Sequence, residues 1–362
     1  MANNFDSNFS RKLMESFLDK FESSRVLTKN VDTQLFAGKF NGSTGDTIDI
    51  KRPTDYVTRR TANGDVSSGA SKSDIVTGKA SATVQDYFTS FVDYDEADEA
   101  IKMGQIDQLL APMATRIVTD FETDYAEFMM KNTALLSGTV GTAVTTWDDV
   151  AGFGAMMEAS GIPKDGMWNS VVNSFTQRKL ASDQRSLGGE TGTMTANKMA
   201  TITDNFAGMK VMTATTLGSY TTGVGADRAG TVVGTPVATY LGAKDTMTQV
   251  IGVTAFQANL VVAAGETVTV TGRNRLNLST RKNILDETGA PIVFSGTVTA
   301  DVTLDGSGAG NLTITGPAIF EAAGQYNTVD SAIAASDVVT LGGAASTIIQ
   351  PNMFWHKNAF TN

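Results

Sequence analysis

Between about residues 221 and 345 the apolar residues never run long. They come in short stretches that alternate with polar ones, and turn residues interrupt them. Thr248 to Val253, Thr267 to Thr271, Ile292 to Thr299, Leu312 to Thr315 and Asp337 to Leu341 all follow this pattern. Ala264-Gly265, Thr288-Gly289 and Asp305-Gly306 supply the breaks between them. A period of two puts alternate side chains on opposite faces, so each stretch predicts a half-buried strand rather than a helix. Regular strand spacing predicts a small all-β barrel or sandwich, set into the chain as a domain of its own over 221–345.

The remainder follows another rule. Ile101, Ile106, Leu109, Leu110, Met113, Ile117, Phe121, Tyr125 and Phe128 recur at helical spacing within 93–136. Pro112 predicts a split, with a short helix to about Leu110 and a long one to about Leu136. The run Asp93 to Glu99 precedes this segment, where carboxylates favour the positive end of a helix. Within 137–220, Thr146-Trp-Asp-Asp149 predicts a cap and a helix to Ala159. Trp168 to Val172 reads as a strand, Phe175 to Ala181 as a helix, Asp183 to Asn197 as a polar loop, and Met209 to Met212 as a strand.

Residues 37–92 are punctuated by glycine. Thr47 to Lys51 and Ala82 to Tyr87 predict the two strands of a long hairpin. The polar stretch between them has little apolar material to bury, so the hairpin is expected to project and to be ordered by a partner. Residues 1–36 read as an amphipathic arm: Phe5, Phe9, Leu13, Phe17 and Phe21 recur every four residues.

Composition narrows the chemistry. The chain has 362 residues, 41% hydrophobic, so a sizeable core can form; only 18% are charged, against about a quarter in an ordinary globular chain. Weakly charged surfaces are cheap to cover with another subunit. The formal net charge of −10 opposes tight nucleic-acid binding, which needs clustered cations to displace counterions. There are no cysteines, which excludes disulfides and thiolate metal sites. No basic, apolar leader opens the sequence, and no run approaches ~18 apolar residues, so neither secretion nor a membrane-spanning helix is expected.

Catalytic and ligand motifs are sparse. His356 is the only histidine, which by counting excludes a histidine-based triad or a His-cluster zinc site. Gly38-Lys39 and Gly78-Lys79 lack the flanking residues of a phosphate loop, and Gly223-Val-Gly225 has Arg228 where a dinucleotide fingerprint needs glycine. The acidic run lacks the glycine of a calcium loop. No catalytic residue, metal or cofactor is expected, and the chain reads as a structural protein rather than an enzyme. The charge feature that stands out is a basic cluster on the hairpin: Lys51, Arg52, Arg59, Arg60, Lys72 and Lys79. With the arm residues Phe5, Phe9, Leu13 and Phe17, these are the candidate subunit contacts.

Several short segments, in order along nearly the whole chain, resemble the P22-like branch of tailed-phage major capsid proteins. They are Ser43-Thr-Gly-Asp46 with Lys51-Arg-Pro53, Glu99-Ala-Ile-Lys102, Leu110-Ala-Pro112, Arg116-Ile-Val-Thr-Asp120 and Phe128-Met-Met130. Asn205-Phe-Ala-Gly208, Val298-Thr-Ala-Asp301, Gln325-Tyr-Asn327 and Pro351-Asn-Met-Phe354 continue the match. The resemblance implies an α+β fold of the HK97-like capsid type with an inserted all-β barrel domain. It implies an N-terminal arm (1–36), an extended loop (37–92), a spine helix and peripheral domain (93–136), an axial α/β domain (137–220), the insertion (221–345) and a return segment (346–362). Members of this branch continue for some tens of residues past the Pro-Asn-x-Phe segment.

The implied function is a self-assembling icosahedral shell around double-stranded DNA. Its copies would form hexamers and pentamers, helped by a scaffolding protein and a portal. The packaged DNA would be enclosed without tight specific binding, and the protein would reside in the virion after assembly in the host cytoplasm. A rival reading is a β-rich phage decoration or adhesin module, which the helical stripe at 93–136 and the arm oppose. A hydrolase has only scattered carboxylates to support it.

Overall fold

The computed structural model describes residues 14–15, 17–22, 24–33, 47–67, 73–83, 88–90, 106–187, 190–322 and 324–361. The expectations for Phe5, Phe9, Leu13, Lys72 and the acidic run Asp93–Glu99 lie outside them.

An antiparallel hairpin, β1 (Thr47–Lys51) with β2 (Lys79–Thr83), comes first, in the register Thr47 opposite Thr83. The long helix Ile106–Lys131 follows. Pro112 does not split it. The Pro112 ring is exposed and so sits on the solvent side of the helix. Its buried face also differs from the expected stripe. Ala114, Val118, Tyr125, Ala126, Met129 and Met130 are buried, whereas Phe128 is half-exposed. Ala114 and Ala126 on the inner face let the backbone pack closely, and Phe128 moves to the flank. There Phe88, Phe121, Tyr125, Phe128 and Phe360 form a run of neighbouring rings with centroids 5.9–6.3 Å apart.

The α/β layer is built on a four-stranded sheet. Helix Trp147–Ala159 opens it, with a capping box in which Thr146 and Asp149 satisfy each other's backbone. Strand β3 (Trp168–Val172) runs into helices Ser174–Leu187 and Glu190–Met199. Residues 183–197, expected as a loop, are thus largely helical. Glycine and threonine lower the intrinsic propensity there, but packing of the two helices against each other overrides it. Strands β4 (Asn205–Phe206) and β5 (Met209–Thr213) complete the crossover, and β5 lies parallel to β3.

The sheet order is β16 (Met353–His356), β3, β5, β4. Strand alternation divides its side chains. Trp168, Met209, Val211 and Phe354 pack with Val150, Met157 and Leu180 of the helices. Val171, Met212, Met353 and Trp355 face Leu27, Val31, Tyr125 and Met129 on the other side. The sheet is therefore covered on both faces, which is what a buried central strand such as β3 requires.

Strand β6 (Tyr220–Thr221) pairs with β15 (Ile348–Ile349). Between them in the chain lie β7 (Ala229–Val232), helix Tyr240–Ala243, β8 (Thr248–Thr254), β9 (Val261–Val262), β10 (Thr267–Asn274), β11 (Val293–Val298), β12 (Val302–Thr303), β13 (Gly310–Thr315) and β14 (Val338–Leu341). Six of these close into an antiparallel barrel, in the order β10, β11, β13, β8, β7, β14. Ile251, Val253, Val268, Val270, Phe294, Leu312, Ile314, Val339 and Leu341 fill it. Every strand expected between Thr248 and Leu341 is present, each end within three residues of its expected place. Two turns share one design. In Asp286-Glu-Thr-Gly-Ala290 and Asp305-Gly-Ser-Gly-Ala309 the aspartate accepts from the backbone and hydroxyl two residues on and from the amide four on. Gly289 and Gly308 both hold the positive φ that the reversal needs.

Candidate assembly surfaces

The N-terminal segment is tied to the body by one buried acid. Glu122, on the long helix, accepts from the amides of Leu27 at 2.6 Å and Thr28 at 3.0 Å, and from the Thr28 hydroxyl. Asn30 extends the seam: its carbonyl accepts from Trp355 Nε1 at 3.1 Å, and its side chain accepts from Lys210 at 2.9 Å. Of the arm residues, Phe17 is partly buried and stacks on Phe21, with centroids 6.1 Å apart; Arg25 lies over the Phe21 ring.

The hairpin carries the basic cluster, and its cations separate into two kinds. Lys79 pairs with Asp49 at 2.8 Å. That contact and a bond from Ser81 hold Asp49 below the usual carboxylate range, and Lys79 is raised in return. Arg52 is partly buried, and burial pushes its guanidinium down despite the nearby Tyr240 and Asp245. Lys51, Arg59 and Arg60 are exposed and form no ion pair with a described residue. The cluster is therefore not one patch: Arg52 and Lys79 belong to the base, while Arg59 and Arg60 stand towards the tip.

The expectation that this hairpin cannot rest on its own chain is corrected. Its two arms above the strands, residues 52–57 and 73–78, lie against the barrel side of the molecule. Arg281 pairs with Asp55, and Tyr326 Oη donates to the Val76 carbonyl at 2.8 Å. Polar groups and backbone make this contact, so counting apolar residues could not reveal it.

The end of the long helix is joined to the barrel in a similar way. Thr297 Oγ1 donates to the Thr133 carbonyl at 2.5 Å, and Ser295 and Arg275 both donate to Ala134 O. Arg275 is buried over the Phe294 ring without an acidic partner among the described residues, and that burial pushes its guanidinium down to about 10. A side chain at Gly316 would meet Ala134 Cβ at 2.1 Å, so glycine there lets helix and barrel touch. At the chain crossings into and out of the barrel, Arg228 pairs with Glu266, both buried. Glu266 also accepts from the amide of Ala263 at 3.1 Å. Burial, with the nearby Glu266 adding to it, raises Tyr220 to about 12.

His356 donates through Nε2 to the Asp165 carboxylate, 3.1 Å away, and its Nδ1 accepts from the Asn358 amide, a contact that ties the end of β16 to the turn before β3. Among the described residues no group of three His, Cys, Asp or Glu side chains could hold a metal ion, and no helix is long and apolar enough to cross a membrane. The most exposed large apolar side chains among the described residues are Phe175 (79%), Val224 (78%), Ile75 (75%) and Ile348 (73%). Contact-bearing residues that the sequence pattern did not single out include Glu122, Arg275 and Arg281, while Tyr326 appeared only within the Gln325-Tyr-Asn327 match. Glu122 had a signal: it sits four residues after Val118 and three before Tyr125, on the buried stripe of the helix.

A family model described as P22 coat protein, gene protein 5, matches residues 1–361. The major capsid protein of Acyrthosiphon pisum secondary endosymbiont phage 1 is 34% identical over 361 residues, covering 99% of this chain and 84% of that protein. Among solved structures, a chain from Mycobacterium phage Che8 aligns over 89% of each chain at 15% identity with a TM-score of 0.38, too low to define the fold. The whole-chain family match and the capsid-protein relative agree with the ordered segments read from the sequence: the chain belongs to the P22 coat protein family and is a phage major capsid protein.

Proposed function

We propose that the subunit tiles an icosahedral shell of a tailed double-stranded DNA phage in the HK97-like manner. In this reading the hairpin at 47–83 is the extended loop, the helix Ile106–Lys131 is the spine, the sheet layer is the axial domain and the barrel is an inserted outer brace. The pairing of β6 with β15 on either side of the barrel segment supports an insertion, because the chain leaves and re-enters at one place. The observation that carries the reading is the hairpin. It holds exposed Lys51, Arg59 and Arg60, without an ion pair among the described residues, on a chain of net charge −10, so the charge most complementary to its tip is the surface of a neighbouring copy.

Hexamers and pentamers would bury interfaces of ~1,600 Å² or more at each contact, enough to hold a shell without covalent links. A scaffolding protein and a portal would join during assembly in the host cytoplasm. The net negative subunit would enclose DNA without gripping it, and the role needs no catalysis or cofactor. The long helix and the family match over the whole chain weigh against a decoration or adhesin module. An electron cryomicroscopy reconstruction of the assembled particle tests the reading. Hexamers and pentamers with Arg59 and Arg60 over an adjacent subunit are expected; a loop directed into solvent, away from every neighbour, would overturn the interface assignment.

A further inference from the structure

We infer that the barrel of each subunit latches the neck of its own extended loop, fixing the direction of the loop before any neighbour is met. This rests on the capsid reading for its purpose, but the latch itself is a property of the single chain. The two arms of the neck are clasped to each other where the Val57 amide donates to Ser73 Oγ at 3.1 Å and the Arg52 amide donates to Gly78 O at 2.9 Å. Both arms are then held by one short barrel-side segment. Gln325 Nε2 donates to the carbonyl of Asp55 on the first arm and, at 2.9 Å, to that of Asp74 on the second. Tyr326 Oη accepts from the Asp55 amide at 3.3 Å and donates to Val76 O at 2.8 Å. Its ring is stacked on Tyr240 with centroids 3.7 Å apart, which leaves the hydroxyl little freedom.

The charged part is equally directed. Arg281 grips the Asp55 carboxylate with one nitrogen and the Asn327 carbonyl with another at 2.8 Å. Its backbone sits at φ 54°, a left-handed conformation that a long side chain rarely adopts without a local reason. On the far side, Asp245 accepts the Lys79 amide at 3.2 Å. A Cβ at Gly78 would come within 2.3 Å of the Lys244 carbonyl, so the second arm lies directly on the barrel segment. Arg59 and Arg60 begin only two residues past the Val57 clasp. Pinning the neck therefore limits where they can point, and a pre-set loop loses less entropy when it docks.

The test is amide hydrogen exchange on the unassembled full chain, with shell formation measured separately. Asp55→Ala and Gly78→Ala act from the loop side; Tyr326→Phe keeps the stacked ring and removes only the hydroxyl. The expected result is exchange about tenfold faster over 52–57 and 73–79 in all three, with barrel strands as protected as before. The concentration needed to form shells should rise about threefold, since the loop must then be ordered on contact. Unchanged exchange over the neck would overturn the latch, whatever the shells do. Faster exchange with an unchanged assembly threshold would overturn its role in presenting the loop. If the unaltered chain forms no shells, the capsid reading fails, while the exchange data still decide whether the latch exists.

Discussion

Single residues set the strength of this subunit where a polar group stands alone in an apolar place. Glu122 satisfies three donors of the segment 27–28 from inside the core. Glu122→Ala removes the acceptor that the Leu27 amide and Thr28 share in the core, so the unassembled subunit should lose about 2–3 kcal/mol by chemical denaturation. Glu122→Gln keeps one acceptor and should lose less. Ala207 is a different case. It occupies the first central position of the two-residue turn between β4 and β5 at φ 51°, with Gly208 at 81°. Such a turn favours asparagine followed by glycine, so Ala207→Asn should stabilise the subunit by roughly 0.5–1 kcal/mol, seen as a raised midpoint. Asp337 governs acid behaviour. Burial pushes its carboxyl up, but the paired bonds from Arg273 at 2.7 Å and the Ala334 amide outweigh burial and hold it below its ordinary 3.8. A depressed aspartate contributes stability that is complete above its unfolded value and is lost as the pH falls through the folded one. Barrel melting should therefore be insensitive to this group at neutral pH and decline below about pH 4, and Asp337→Asn should flatten that decline.

At the scale of elements, the strands were readable and the helical contacts were not. Alternation located β8, β10, β11, β13 and β14 because one face of each is buried in the barrel and the other is not, and period two is a local signal. The long helix was readable in type, but its inner face was not. Spacing identified Phe121 and Phe128, whereas the core selects Ala114 and Ala126 for closeness, a property of the partner surface. Glycine and threonine in 183–197 suggested a loop because local propensity cannot see a neighbouring helix. The basic cluster was legible as charge, yet its division into Arg52 and Lys79 at the base and Arg59 and Arg60 beyond depends on Asp49, Asp245 and Tyr240, distant in sequence or on the opposite strand. The element-scale prediction follows from that division. Arg59→Glu with Arg60→Glu should block shell formation while leaving the far-ultraviolet circular dichroism and melting of the subunit unchanged, because neither side chain forms an ion pair with a described residue. Normal shells from the double variant would show that the tip charges do not guide docking.

For the whole molecule, attachments that bring the barrel to the rest of the chain include the loop neck, the Thr133–Ala134 end of the long helix, and the β6–β15 crossing. The neck and the helix end use polar side chains on backbone and the crossing uses strand pairing, contacts that fix geometry without exposing apolar surface before assembly. The low charge content and the exposed Phe175, Val224 and Ile348 suit faces that another copy covers. The central claim is that this chain builds shells from copies of itself, and particle size tests it most directly. The full chain should be expressed with and without the neighbouring phage genes and viewed by negative-stain electron microscopy. Closed shells or regular tubes tens of nanometres across are predicted. Monomers or small rings alone, even beside a scaffolding partner, would contradict the account.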